Sequence, residues 1–137
     1  MVSGFLLATK GEKISKSKGN AKFDPESLIQ TWGADAVRYR ALGMQLGKDT
    51  FFDDNDLKNG QKLVTKLWNA FQFVKMQLDS FTPSDFSSVK LLPTDERILI
   101  RLTEVISTMK NYLDKYEYGL AKICFEDFFR KDFCDNY

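Results

Sequence analysis

The chain has 137 residues, 43% hydrophobic and 28% charged, with a formal net charge of +1, a composition suited to one ordinary globular domain with one core. No apolar run approaches the ~20 residues of a membrane span, and no signal-peptide pattern opens the chain. Histidine is absent, which removes the usual near-neutral general base, the usual zinc ligand and every imidazole-activated nucleophile. The two cysteines, Cys124 and Cys134, lack the spacing of a metal knuckle, so no metal site is expected. They read as reduced, mostly buried thiols of a cytoplasmic protein.

Residues 2–8, Val-Ser-Gly-Phe-Leu-Leu-Ala, form a short apolar run suited to a buried strand. Residues 9–23 are polar and lysine-rich with Gly11 and Gly19, the composition of an irregular loop. Asp24-Pro25-Glu26 starts a helix, with Asp24 as cap and Pro25 at the first helical position. Gly33 should end it, and a second short helix is expected over 34–42. Gly43 and Gly47 then loosen the chain.

Asp53 should cap the first long helix, which the pattern carries to about Phe81. At 100° per residue, Leu57, Val64, Leu67, Trp68, Phe71, Leu78 and Phe81 share one face, so Trp68 and Phe71 are expected in the core. Lys58, Lys62 and Lys66 fall almost opposite, and Phe73 lies on their side, placed to stack on a helix or on a nucleotide. Residues 82–93 read as a loop, and Thr94 as the cap of the next helix. That helix carries Ile98, Leu102, Val105, Ile106, Met109, Leu113 and Tyr116 as its apolar series. Gly119 should mark a break before a last helix rich in phenylalanine. Three long amphipathic helices with short connections argue a mainly α helix bundle.

Charge is uneven despite the near-neutral total. Residues 10–22 hold Lys10, Lys13, Lys16, Lys18 and Lys22 against Glu12 alone, and 58–75 hold four lysines with no acid. Two local basic patches suit contact with particular phosphates; a plain solvated lysine face is the competing reading. In Lys13-Ile14-Ser15-Lys16-Ser17-Lys18-Gly19-Asn20, compact ammonium groups on flexible stems sit beside serines and a glycine. Such a loop can close over a triphosphate and track charge as it develops. It is not a phosphate-binding Walker A loop, whose glycine and lysine spacing is absent.

The same eight residues resemble the Lys-Met-Ser-Lys-Ser signature of class I aminoacyl-tRNA synthetases, with Ile14 in place of methionine. Asp24-Pro25 and the run from Gly33 to Tyr39 are similar to the stretch just after that signature in the valyl, isoleucyl, leucyl and methionyl group. Lys66-Leu67-Trp68-Asn69-Ala70-Phe71 and the stretch from Asp132 to Tyr137 resemble helices of the anticodon-binding domain in the valyl branch. The resemblance implies a division into 1–50, the signature loop with connecting helices, and 51–137, a helical anticodon-binding domain. It implies valine, ATP with its magnesium, and tRNA as partners of an intact enzyme. Lys16 would be the principal phosphate contact and Lys13 a supporting one, with Ser15 and Ser17 ordering the loop. Lys58, Lys62 and Lys66 would meet tRNA phosphates, while Asp35 and Arg38 would cap and pin the helices beneath the loop.

The family's His-x-Gly-His signature has no counterpart in a chain without histidine, and its nucleotide-binding body is not present in these residues. The expectation is therefore a piece of the enzyme, excised or a truncated reading frame, inactive alone. A free-standing helical adaptor that has lost the enzymology is the alternative, and the retained Lys13 and Lys16 argue against it. Apolar residues spread round the last helix predict an unsheltered patch at Phe128, Phe129 and Phe133, able to drive self-association.

Overall fold

The computed structural model describes residues 4–8, 12–14, 17, 23–80 and 89–137. Two short strands, β1 (Leu6–Leu7) and β2 (Thr50–Phe51), run parallel in the register Leu6 to Thr50 and Leu7 to Phe51. The Thr50 and Phe52 N–H groups donate to the Phe5 and Leu7 carbonyls at 2.9 and 2.8 Å. A parallel pair needs a crossover connection, and helices α1 (Pro25–Trp32) and α2 (Ala34–Leu42) lie within it. Gly4 sits where the chain passes the end of β2. A Cβ there would lie 2.0 Å from the Lys48 carbonyl oxygen, so only glycine fits. The first strand was legible as an apolar run; β2, two residues long, is too short to show a period.

Helices α1 and α2 obey the capping signals. Asp24 precedes α1 in extended conformation, Pro25 takes the first position, and Gly33 closes the helix at φ 84° with its N–H on the Ile29 carbonyl at 2.9 Å. That left-handed φ costs glycine little and other residues more. A core of Ala36, Phe52 and Leu57 gathers Leu6, Ile14, Phe23, Leu28, Trp32 and Val37 around it. Phe23 and Phe52 meet with ring centroids 4.5 Å apart.

Helix α3 (Asp54–Gln77) starts where Asp53 accepts the Asn55 N–H at 2.9 Å. It stops short of Phe81, with Leu78 as its C-cap. Only its first half is buried: Leu57, Gly60 and Leu63 pack inward. The expectation that Trp68 and Phe71 are core fails, for Trp68 is 59% exposed and Phe71 57%. The periodicity correctly identified an apolar face. Helix α2 packs on α3, and the buried positions of α3, Leu57, Gly60 and Leu63, all lie in its first half.

Helix α4 (Pro93–Asp114) packs on α5 (Tyr118–Asp127). Its cap is Leu92 rather than Thr94: Pro93, lacking an N–H, occupies the first helical position, and the Asp95 carboxylate accepts the Leu92 N–H at 2.8 Å. The break before α5 falls at Tyr116, which takes φ 60°. Gly119 lies inside α5, where a Cβ would stand 3.3 Å from the Gly43 carbonyl oxygen. The chain then widens into a π-helix over Phe128–Cys134. Phe128 and Phe129 are buried, so the unsheltered patch expected there is not found. Rings at every fourth position, Phe125, Phe129, Phe133 and Tyr137, stack with centroids 6.0 to 6.2 Å apart. Ile98, Leu102 and Phe125, Phe129 and Phe133 face one another across a hollow of about 580 Å³ between α4 and this last segment. The mainly α architecture with a short strand pair agrees with the sequence reading. Both cysteines are free and half-buried.

Candidate functional site

The cationic segment leaves the end of β1 and returns along it. The Ala8 N–H donates to the Glu12 carbonyl at 2.7 Å, the Ile14 N–H donates to the Leu6 carbonyl at 3.3 Å, and Leu7 and Lys13 form an antiparallel bridge. Residues 12–14 thus act as a third edge on the strand pair, with β1 between them and β2. Alternation along this edge separates the two neighbours in function. Ile14 joins the margin of the core, while Lys13 is exposed and its ammonium lies 3.5 Å from the centroid of the Phe5 ring. Ser17 is exposed. Ser15 and Lys16 lie outside the described residues.

Asp35 and Arg38 do not pin helices beneath the loop. They pair with each other at 2.8 Å on an exposed face of α2. The buried arginine is Arg40, two positions on, which the sequence reading passed over. It is 6% exposed, and its Nη2 donates to the Phe51 carbonyl at 3.0 Å. Its guanidinium carbon stands 4.7 Å from the centroid of the Phe52 ring. Burial lowers its pKa, with Asp56 and Asp53 acting in the opposite sense. Its proximity to α2's neighbours in space, not any local pattern, marks it.

The three lysines of α3 are not equivalent. Lys58 and Lys62 are exposed, and no ion pair is found for either among the described residues. Lys66 reaches Asp135 at 3.6 Å, tying α3 to the C-terminal segment. Phe73, on the same side, is 60% exposed. Among the described residues there is no cluster of His, Cys, Asp or Glu that could hold a metal ion, and no helix long and apolar enough to cross a membrane.

Residues 1–53, which contain this hairpin and both short helices, match the family described as tRNA synthetases class I (I, L, M and V). Over its whole length the chain is 46% identical to the valine-tRNA ligases of Wolbachia sp. subsp. Brugia malayi (strain TRS) and Ehrlichia ruminantium (strain Gardel), covering 16% and 17% of those proteins. It is 41% identical, again over all of this chain, to the valine-tRNA ligase of Orientia tsutsugamushi (strain Boryong) and covers 17% of it. The chain thus matches the class I aminoacyl-tRNA synthetase family over its first 53 residues. Within that class it is the valyl enzymes that it is similar to from end to end. It spans about a sixth of the length of these relatives.

Proposed function

We propose that this chain supplies two parts of a valine-tRNA ligase: the loop that clamps ATP phosphates, and helices of the anticodon-binding domain that meet tRNA. In the activation step the valine carboxylate attacks the α-phosphorus of ATP, valyl-adenylate forms and pyrophosphate leaves. The acyl group then passes to the tRNA 3′ end. Lys16 and Lys13 neutralise charge that builds on the departing pyrophosphate, and Ser15 and Ser17 order the loop around it. Exposed Lys58 and Lys62, with Lys66 once it leaves Asp135, contact the tRNA backbone. The division of labour falls near residue 50, with the loop and short helices before it and the helical domain after it.

The observation that carries this reading is continuous similarity to valine-tRNA ligases across all 137 residues, the loop and the helices alike. The strand-anchored hairpin adds a physical reason. It fixes Ile14 in the core margin and leaves Lys13 outward.

Valine-dependent ATP–pyrophosphate exchange tests it. In a full-length ligase carrying these residues, Lys16→Ala is expected to lower kcat by ~10²-fold or more with less effect on the valine KM, as for one lost transition-state contact. The 137-residue chain alone is expected to show no exchange above a heat-killed control. An unchanged kcat in Lys16→Ala would remove the clamp from the proposal and favour a helical adaptor.

A further inference from the structure

We propose that Arg40 is a positioning residue for the cationic loop, holding β2 in place and, through β2 and β1, the hairpin that presents Lys13. Its consequence for catalysis rests on reading that loop as the ATP clamp; the mechanical claim does not. Arg40 is the one buried charged side chain among the described residues. Burying a guanidinium is costly unless its donors and its charge are met. β2 and its flank meet part of it: Nη2 donates to the Phe51 carbonyl at 3.0 Å and the Phe52 ring lies under the cation. Nη1 reaches the sulfur of Met44, just after α2, at 3.5 Å, and Nε is buried with no hydrogen-bond partner among the described residues.

The register explains why Phe51 needs this donor. The N–H groups of Thr50 and Phe52 face β1 and are spent on Phe5 and Leu7. Backbone groups alternate sides along a strand, so the Phe51 carbonyl points to the opposite edge. No described strand pairs with that edge, and Arg40 takes the place of the missing neighbour. Strands of two residues have little stability of their own. The same short sheet carries the Ile14-to-Leu6 bond and the Leu7–Lys13 bridge on its other side. Contact therefore runs without a gap from Arg40 to Phe51, across β2 and β1, to Lys13. Arg38, paired with Asp35 on the exposed face of α2, has no such connection.

The test is solution NMR of the 137-residue chain carrying Arg40→Met, which keeps the stem and removes the donors, with Arg40→Lys as the milder variant. Two signals are read: amide exchange at Thr50, Phe52 and Ile14, and the shift that the Phe5 ring imposes on the Lys13 side chain. Arg40→Met is expected to speed exchange at those three amides by about tenfold or more, the equivalent of one lost hydrogen bond. It should also abolish the Lys13 ring shift, while amides within α4 and α5 keep their protection. Arg40→Lys, retaining one cationic donor, should restore part of both signals. Unchanged exchange at Thr50, Phe52 and Ile14 would overturn the proposal, as would a uniform rise over the whole chain, which marks a purely structural residue. If Arg40→Met does not fold, the same two signals in Arg40→Lys decide, since loosening confined to the hairpin supports the proposal and a wild-type pattern or uniform loosening refutes it. None of these readouts uses ATP. Failure of Lys16→Ala to slow pyrophosphate exchange would remove the clamp and leave the Arg40 result standing.

Discussion

Tyr39 and Glu126, 87 positions apart in the chain, are joined by a hydrogen bond of 2.8 Å from the phenol to the carboxylate. Arg130 Nε donates to the other oxygen of Glu126 at 2.9 Å, and the Lys122 ammonium lies 3.8 Å from the centroid of the Tyr39 ring. A few residues away Gly43 and Gly119 let the end of α2 approach the start of α5. This small polar joint, with the Lys66–Asp135 pair, connects the strand pair and α1–α3 to the α4–α5 unit.

Removing the phenol should loosen that joint. Tyr39→Phe is expected to cost about 1.5–3 kcal/mol in urea unfolding, typical of a hydrogen bond to a charged acceptor. With Glu126→Gln it should show non-additivity of roughly 0.5 kcal/mol or more in a double-mutant cycle. Burial first, and then the bond to Glu126, push the Tyr39 hydroxyl up to about 12 from 10.0. A raised folded-state pKa means that the contribution is complete below pH 10 and is lost between there and pH 12. The stability gap between wild type and Tyr39→Phe should therefore close across that window. A constant gap would show that the hydroxyl titrates alike in the folded and unfolded chain, so that folding does not raise its pKa.

Gly60 is the point where α3 presses on α2. A Cβ there would lie 2.9 Å from Tyr39 Cδ1 and 3.1 Å from the Ala36 backbone. Alanine would raise helix propensity on an exposed helix, yet here overpacking dominates. Gly60→Ala should lower stability by about 1–3 kcal/mol, measured as a fall in the urea midpoint at constant slope.

Contact between the α3 lysines and tRNA should be weak and salt-dependent. About three phosphate contacts give a slope of log K against log salt of roughly −2 to −3. Alanine at Lys58 or Lys62 should reduce the slope by about 1 each. Lys66→Ala should do less, because its ammonium is shared with Asp135. Filter binding over a salt series measures it, and a slope near zero would assign the row to an ordinary solvated face.

Self-association, if driven by apolar surface, should use α3 and not the last helix. Trp68, Phe71 and Met76 are all more than half exposed. Covering a few such side chains is worth on the order of 1.5–3 kcal/mol each, enough for a weak dimer. Sedimentation at rising concentration should show a dimer that Trp68→Lys weakens and Phe133→Ser does not. A strict monomer would count against any role of this face between copies.

Local chemistry made much of this protein legible from its residues. Asp24-Pro25 and Gly33 mark the bounds of α1, Asp53 starts α3, and the apolar run before the lysines becomes β1, because caps, turns and short periods are decided by neighbours within four residues. The loop lysines were singled out for a different reason: their spacing resembles a known signature. Tertiary structure alone decided the rest. Trp68 and Leu57 share one stripe of α3, yet Leu57 is buried and Trp68 is not, since burial depends on what lies across from a face. Arg38 and Arg40 sit two residues apart in one helix, and only the return of β2 beside α2 makes the second the buried one. The Tyr39–Glu126 bond and the Gly60 contact likewise join residues that no period links. A helix pattern states which side is apolar; which neighbour covers it is set by how distant segments meet.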